Sequence, residues 1–194
     1  DRVPIVSVAR EIAGVDTVTS DNAIGARIAT EHLLRLGHRD IVFLANPPTD
    51  GYLDRRRGYI DAIRSAGLKP RITETSYARG KAAVDAGVLL DGGNPPSAFF
   101  AHNDQTALGV LDALAMRNLA AGREVSVVGY DNTSASRSPG TDLTTVDIDG
   151  QSLGRNAALM ALRRLDAPDR RGELHMSVPS LVIRSTTGRR STTR

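Results

Sequence analysis

From Val3 to Tyr130 the chain repeats one alternation: a short apolar stretch, then residues at helical spacing, then a glycine or proline stop. Val3-Pro-Ile-Val-Ser-Val8 reads as a strand. After a loop through Gly14, Ser20-Asp-Asn22 offers a helix N-cap, Ile24, Ile28 and Leu34 follow at helical spacing, and Gly37 ends the helix. Residues 40–45 form the next strand and 46–51 a loop of turn formers. Leu53, Ile60 and Ile63 mark a helix that stops at Gly67. Strands over 71–75, 98–101 and 125–130 alternate with helices over 82–90 and 106–119. Parallel neighbours need helical crossovers, so this alternation specifies an α/β fold with a doubly wound parallel sheet. Beyond it the pattern loosens. A polar loop spans 134–142, a short strand 143–148, a helix 153–165, and an alternating stretch 174–185 reads as a last strand with Val178 and Ile183 on its buried face. That irregular end suggests a chain crossing between two subdomains.

The run Val125-Ser-Val-Val-Gly-Tyr-Asp-Asn132 stops abruptly at polar residues, and Ser97-Ala-Phe-Phe-Ala-His-Asn-Asp104 stops the same way. A strand covered by helices on both faces is near-continuously apolar, and ligands in open α/β sheets bind outside the carboxyl ends of such strands. Asn103 and Asp131 are therefore delivered to one rim. Helix capping or turn formation is the alternative for any single Asn or Asp. Two strands that end alike tilt the balance towards a site.

Composition closes several routes. No segment approaches the roughly 18 to 20 uninterrupted apolar residues of a membrane span, and residues 1–10 read as a strand rather than a signal peptide. The absence of cysteine excludes disulfides, thiolate zinc sites and cysteine nucleophiles. Net charge is +3, but residues 170–194 hold six arginines against the single acid Glu173, so the body upstream is close to neutral. Only Lys69 and Lys81 are lysines, which looks like an arginine bias rather than a nucleic-acid patch. There is no G-x-G-x-x-G after a strand, no Walker A, no G-x-S-x-G and no H-E-x-x-H. His32, His38, His102 and His175 lack metal-ligand spacing, and each is assigned a surface or capping role. Asp147 and Asp149 share a strand face, but nothing converges on them. No catalytic residue, metal or cofactor is expected.

Six stretches, in order and at family-like separations, resemble the effector-binding core of bacterial transcription regulators of the lactose repressor (LacI/GalR) family. They are Ser20-Asp-Asn-Ala-Ile-Gly25, Glu31-His-Leu-Leu-Arg-Leu-Gly-His-Arg-Asp-Ile41, Arg55-Arg-Arg-Gly-Tyr59, Asn103-Asp-Gln-Thr-Ala-Leu-Gly109, Val125-Ser-Val-Val-Gly-Tyr-Asp-Asn132 and Leu143-Thr-Thr-Val146. The resemblance implies the type I periplasmic-binding-protein-like fold of two subdomains joined by crossovers. Residues 1–20 and 148–172 would belong to an incomplete N-terminal subdomain, residues 21–147 and 173–187 to the C-terminal effector-binding one, and 188–194 to a disordered tail. It further implies a cytoplasmic homodimer, away from the membrane, to which the helix 106–119 contributes. Operator DNA would be held only through an N-terminal helix-turn-helix headpiece absent from this chain.

Carried over residue by residue, Arg55 matches the arginine that contacts the effector, Asn103 and Asp131 its polar partners, and Tyr77 an aromatic that stacks on a sugar ring. A guanidinium fork, a carboxylate and an amide can together address vicinal hydroxyls in fixed directions. The expected ligand is a small-molecule effector with a sugar as the leading class. Ala9, Gly51, Ile148 and Gly150 depart from common family residues around the cleft, so a purine or another small polar metabolite stays open. The loop 134–142 is the expected reporter of occupancy. Two rivals share the fold: an extracytoplasmic sugar-binding protein of a transport system, and, less favoured for want of motifs, an enzyme.

Overall fold

The computed structural model describes residues 3–48 and 51–190. In chain order the elements are β1 (Val6–Val8), β2 (Asp16–Ser20), α1 (Asn22–Arg35), β3 (Ile41–Ala45), α2 (Tyr52–Ser65), β4 (Arg71–Glu74), α3 (Arg79–Leu90), β5 (Ala98–Ala101), α4 (Asp104–Ala115), β6 (Ser126–Tyr130), a 3₁₀ turn (Ser134–Arg137), β7 (Thr144–Asp147), α5 (Gly150–Asp166), β8 (Leu174–Ser177) and β9 (Ser180–Val182). They build a six-stranded sheet in the order β4-β3-β5-β6-β7-β9 and a three-stranded sheet in the order β1-β2-β8. Every pairing is parallel except β7 with β9. The expected α/β class with a doubly wound parallel sheet is what the chain adopts.

Period-two alternation sorts the large sheet's side chains onto two faces. Ile41, Phe43, Phe100, Val128 and Tyr130 pack under α1 and α2, against Leu33, Tyr59 and Ile63. Val42, Leu44, Phe99 and Val127 pack under α3 and α4, against Ala86, Val110 and Leu114. The sequence's near-continuous apolar runs are thus two interleaved half-runs, each with its own core. On one side α1 and α2 approach so closely that a Cβ on Gly58 would stand 2.1 Å from the Ala23 carbonyl oxygen. The stop at Gly37 follows the Schellman pattern: Gly37 has φ +92, its N–H reaches Leu34 O, and the N–H of His38 reaches Leu33 O.

Several expectations need correction. β2 went unread because its five buried residues, Asp16-Thr-Val-Thr-Ser20, are mostly polar. Asp16 is instead tied by Arg164 of α5 (2.9 and 2.8 Å) and by the N–H of Glu173 (2.9 Å), which satisfies a carboxylate only 2 % exposed. The stretch 174–185 is not one strand. Pro179 lacks a ladder N–H and stands at a break, after which β8 pairs with β2 in the small sheet and β9 with β7 in the large one. Residues 174–177, allotted with 173–187 to the C-terminal subdomain, therefore sit in the small sheet, and Val178 and Ile183 are exposed rather than buried. Leu53 is likewise solvent-facing, with Tyr52, Arg55 and Tyr59 on the inner stripe of α2. The helix expected over 106–119 begins two residues earlier and closes at Ala115.

The tail also differs. Gly188 accepts from His38 Nε2 (3.1 Å) and donates its N–H to Ser126 Oγ (3.1 Å), and Arg190 donates its N–H to Leu36 O (2.9 Å). Residues 188–190 are therefore docked, while 191–194 lie outside the described residues. Of the four histidines only His175 is exposed; His32, His38 and His102 are buried, where surface or cap roles had been assigned.

Candidate functional site

Chain order and sheet order diverge at β3 and β5. The chain leaves β3 for the edge strand β4 and returns through α3 to β5 on β3's other side. The carboxyl ends of β3 and β5 therefore flank the topological switch point, where connecting helices depart to opposite faces and leave a crevice. All four residues expected at the site stand around it.

Arg55 lies in the first turns of α2 and points inward, 9 % exposed. Its guanidinium stacks on the Tyr130 ring, 3.8 Å from the centroid. Three nitrogens are engaged: Nε donates to Asn22 Oδ1 (2.9 Å), Nη1 to the His102 carbonyl (2.6 Å) and Nη2 to Asp131 Oδ1 (3.3 Å). One side chain thus fastens the start of α1 to the ends of β5 and β6. Two of its five N–H groups remain for a further acceptor.

Asp131 follows β6 with φ +98, a backbone conformation that costs a non-glycine residue energy. Burial pushes its carboxyl above the usual range, Arg55 pulls it back, and nearby Asp104 pushes it up again. Asp104 is itself 1 % exposed and raised by burial. It accepts from Thr145 Oγ1 (2.6 Å) and from the N–H and Oγ1 of Thr133 (2.7 and 2.9 Å). The loop after Asp131 is therefore held to β7 through a buried carboxylate, and that arrangement keeps Asp131 in its strained place.

Asn103 fulfils the alternative weighed for it and more. It is the N-cap of α4, with Oδ1 accepting the N–H of Thr106 (2.8 Å). Its amide Nδ2 is not needed for the cap. Tyr77, on the segment between β4 and α3, is 42 % exposed and sits edge-on to the His102 ring, centroids 6.4 Å apart. His102 is enclosed further by Phe43 and Tyr52, each 6.1 Å away between centroids. Burial and the adjacent Arg55 charge lower its pKa to about 3, so the ring is neutral.

Sequence reasoning missed three residues here. Asn22, read as part of an N-cap, holds Arg55, and Asp21 is the actual cap of α1, accepting from Ile24 N (2.9 Å). Asp104 was passed over beside Asn103. His102 carried a usable signal, because a polar ring directly after a fully apolar strand and before the rim asparagine is out of place in a core.

Among the described residues no group of His, Asp and Glu could hold a metal ion, and no helix is long and apolar enough to cross a membrane. A cavity of about 450 Å³ lies at the other end of the small sheet among Val3, Ile5, Val15, Leu165 and Pro168. The Asp16–Arg164 pair on its wall is already closed, so it presents little polar capacity to a ligand.

Residues 30–187 match the model of the periplasmic binding protein-like domain. The chain is 31% identical over 180 residues to the HTH-type transcriptional repressor CytR of Escherichia coli K12, an alignment covering 88% of this chain and 51% of that protein. It spans about half the length of the curated relatives it matches. Among solved structures it is similar to a LacI transcriptional regulator from a Rhodococcus species, with TM-score 0.91 and 33% identity over 97% of this chain and 71% of that one. A complex of the transcriptional regulator CelR with cellobiose superposes with TM-score 0.85 at 25% identity, covering 93% of this chain and 58% of that one.

Proposed function

The chain belongs to the LacI family of transcriptional regulators, built on the periplasmic binding protein-like domain, and on that premise we propose that it is the effector-sensing part of such a regulator. The effector binds at the carboxyl ends of β5 and β6, and its occupancy alters operator binding by a DNA-binding headpiece in the whole cytoplasmic protein. The observation that carries this reading is the convergence of Arg55, Asn103, Asp131 and Tyr77 on the switch point, with the Asn103 amide and two Arg55 N–H groups in excess of what the fold uses. The relatives the chain matches are transcriptional regulators, which supports reading the site as a sensor.

A sugar is the effector class that suits the site best. Donors from Arg55 and Asn103 and an acceptor at Asp131 match hydroxyl groups, which both give and take hydrogen bonds, and Tyr77 offers a ring face. The CelR structure, similar to this chain, is a complex with cellobiose, which supports a sugar as the ligand class. The small sheet with α5 is one part of a two-subdomain arrangement, and the large sheet forms one wall of the cleft between the two. Ligand then works by linkage. Its differential affinity for two subdomain arrangements feeds a coupling free energy, typically about 1–3 kcal/mol, to the DNA-binding end of a homodimer.

The test is calorimetric titration of the full-length protein with sugars, polyols and nucleosides, alongside Asn103→Ser and Asp131→Asn. Serine caps a helix as well as asparagine does but lacks the amide, and asparagine tolerates the positive φ at 131. Binding of a sugar by wild type, weakened at least tenfold in both variants at unchanged stability, is the expected result. Full affinity in both variants would place the ligand elsewhere.

A further inference from the structure

Native proteins leave few buried polar atoms unpaired, and each one calls for a cause. In this protein four such atoms, Ser20 Oγ, Thr75 Oγ1, His102 Nδ1 and Tyr130 Oη, belong to residues that end a strand or directly follow one: β2, β4, β5 and β6. Two further such atoms, Arg71 Nη1 at the start of β4 and Asp85 Oδ2 in α3, lie away from these strand ends. Tyr130 Oη is shut off by α1, since a Cβ on Gly25 would stand 2.1 Å from it. His102 is different, because its neighbour on one side is the half-exposed Tyr77 and the next residue is Asn103.

Resting on the effector-site reading above, we propose that His102 is a specificity-determining residue of that site, its imidazole exchanging a hydrogen bond with a ligand hydroxyl. Phe43, Tyr52 and Tyr77 surround the ring without offering Nδ1 a partner. Phe43 and Tyr52 are themselves buried while Tyr77 is 42 % exposed, so the Tyr77 side is the most open of the three. A neutral imidazole has one donor and one acceptor nitrogen, and a hydroxyl complements either tautomer. A carboxylate or phosphate would find no cation in this ring. An aldose or polyol hydroxyl meets the requirement; an apolar group leaves the nitrogen unpaired and is rejected, as sites with buried polar groups reject ligands that cannot satisfy them. The unpaired nitrogen is then a cost the unliganded protein bears so that binding relieves it.

The experiment compares full-length wild type with His102→Phe, His102→Leu and His102→Asn, measuring Tm without ligand and calorimetric affinity for D-ribose, cellobiose, other mono- and disaccharides, polyols and nucleosides. Two apolar variants guard against one that overfills the site. The better-packed of them is expected to melt about 2–4 °C above wild type, because an apolar group replaces an unpaired nitrogen among aromatic rings. It should also lose at least tenfold in affinity for the compound wild type binds, and His102→Asn, whose amide lies near the Nδ1 position, should recover part of that loss. Apolar variants that melt no higher than wild type, or that melt higher and bind equally well, overturn the assignment. Silence of wild type across the panel refutes the proposed ligand class, and the assignment of His102 then stands or falls on the melting comparison.

Discussion

Arg55→Met removes a guanidinium that holds three elements together while leaving an unbranched apolar chain of similar reach. The change strands the His102 carbonyl, Asn22 Oδ1 and the Asp131 carboxylate and deprives the Tyr130 face of its cation. Breaking a buried, hydrogen-bonded charge typically costs about 3–5 kcal/mol. In a chain of this size that lowers Tm by about 6–20 °C. The carboxylate is the smaller part of the cost. Its contact is the longest of the three at 3.3 Å, its side chain is 29 % exposed, and burial has already raised its pKa towards neutralisation. Urea unfolding of wild type, Arg55→Met, Asp131→Asn and the double variant separates these contributions, and Asp131→Asn should recover only about 1 kcal/mol of the Arg55→Met loss. A loss below 1 kcal/mol, or one wholly recovered in the double variant, would refute the view that Arg55 organises the rim. The same reasoning means that ligand affinities of Arg55 variants report on folding as much as on contact.

At Gly58, alanine would gain about 1 kcal/mol of helix propensity, but its Cβ meets the backbone oxygen of Ala23 at 2.1 Å, and backbone cannot rotate away. Overpacking wins, and urea unfolding should show Gly58→Ala net destabilised by about 1–2 kcal/mol; a stabilised variant would contradict the close α1–α2 approach. His102 has a pH signature of definite sign. Its pKa drops from 6.5 to about 3 on folding, so below pH 6.5 the unfolded chain takes a proton that the folded one refuses, and stability is lost as pH falls. Wild type should therefore fall behind His102→Phe by about 1.4 kcal/mol per pH unit between pH 6 and pH 4, and a difference constant with pH would refute it. His32 and His38, also lowered by burial, act in the same direction but are common to both proteins.

How much of this was legible in the residues depended on whether burial was satisfied by apolar or by polar means. The large sheet announced itself because β3, β5 and β6 are apolar on both faces, and its helices because glycines stop them. β2 is equally buried, yet it reads as loop, since Asp16 is satisfied by bonds to distant α5 and the approach to β8, and its threonine hydroxyls by the backbone carbonyls of Val15 and Ala9. The crossing at Pro179 was hidden by an alternation that runs straight through it, and only pairing partners distinguish β8 from β9. Arg55, Asn103, Asp131 and Tyr77, the residues that the resemblance suggested, stand around one crevice. What the motifs could not convey is that Arg55 is largely spent on structure, or that His102 is buried with an open valence, because both depend on neighbours from other strands.

A crystal structure of the full-length protein with the sugar that calorimetry selects tests the central claim most directly. The account predicts density at the carboxyl ends of β5 and β6, with ligand hydroxyls within hydrogen-bond reach of the Asn103 amide and Asp131 and the sugar ring against Tyr77. Ligand bound instead in the cavity beside Asp16 and Arg164, or anywhere that leaves Asn103 and Asp131 untouched, would contradict it.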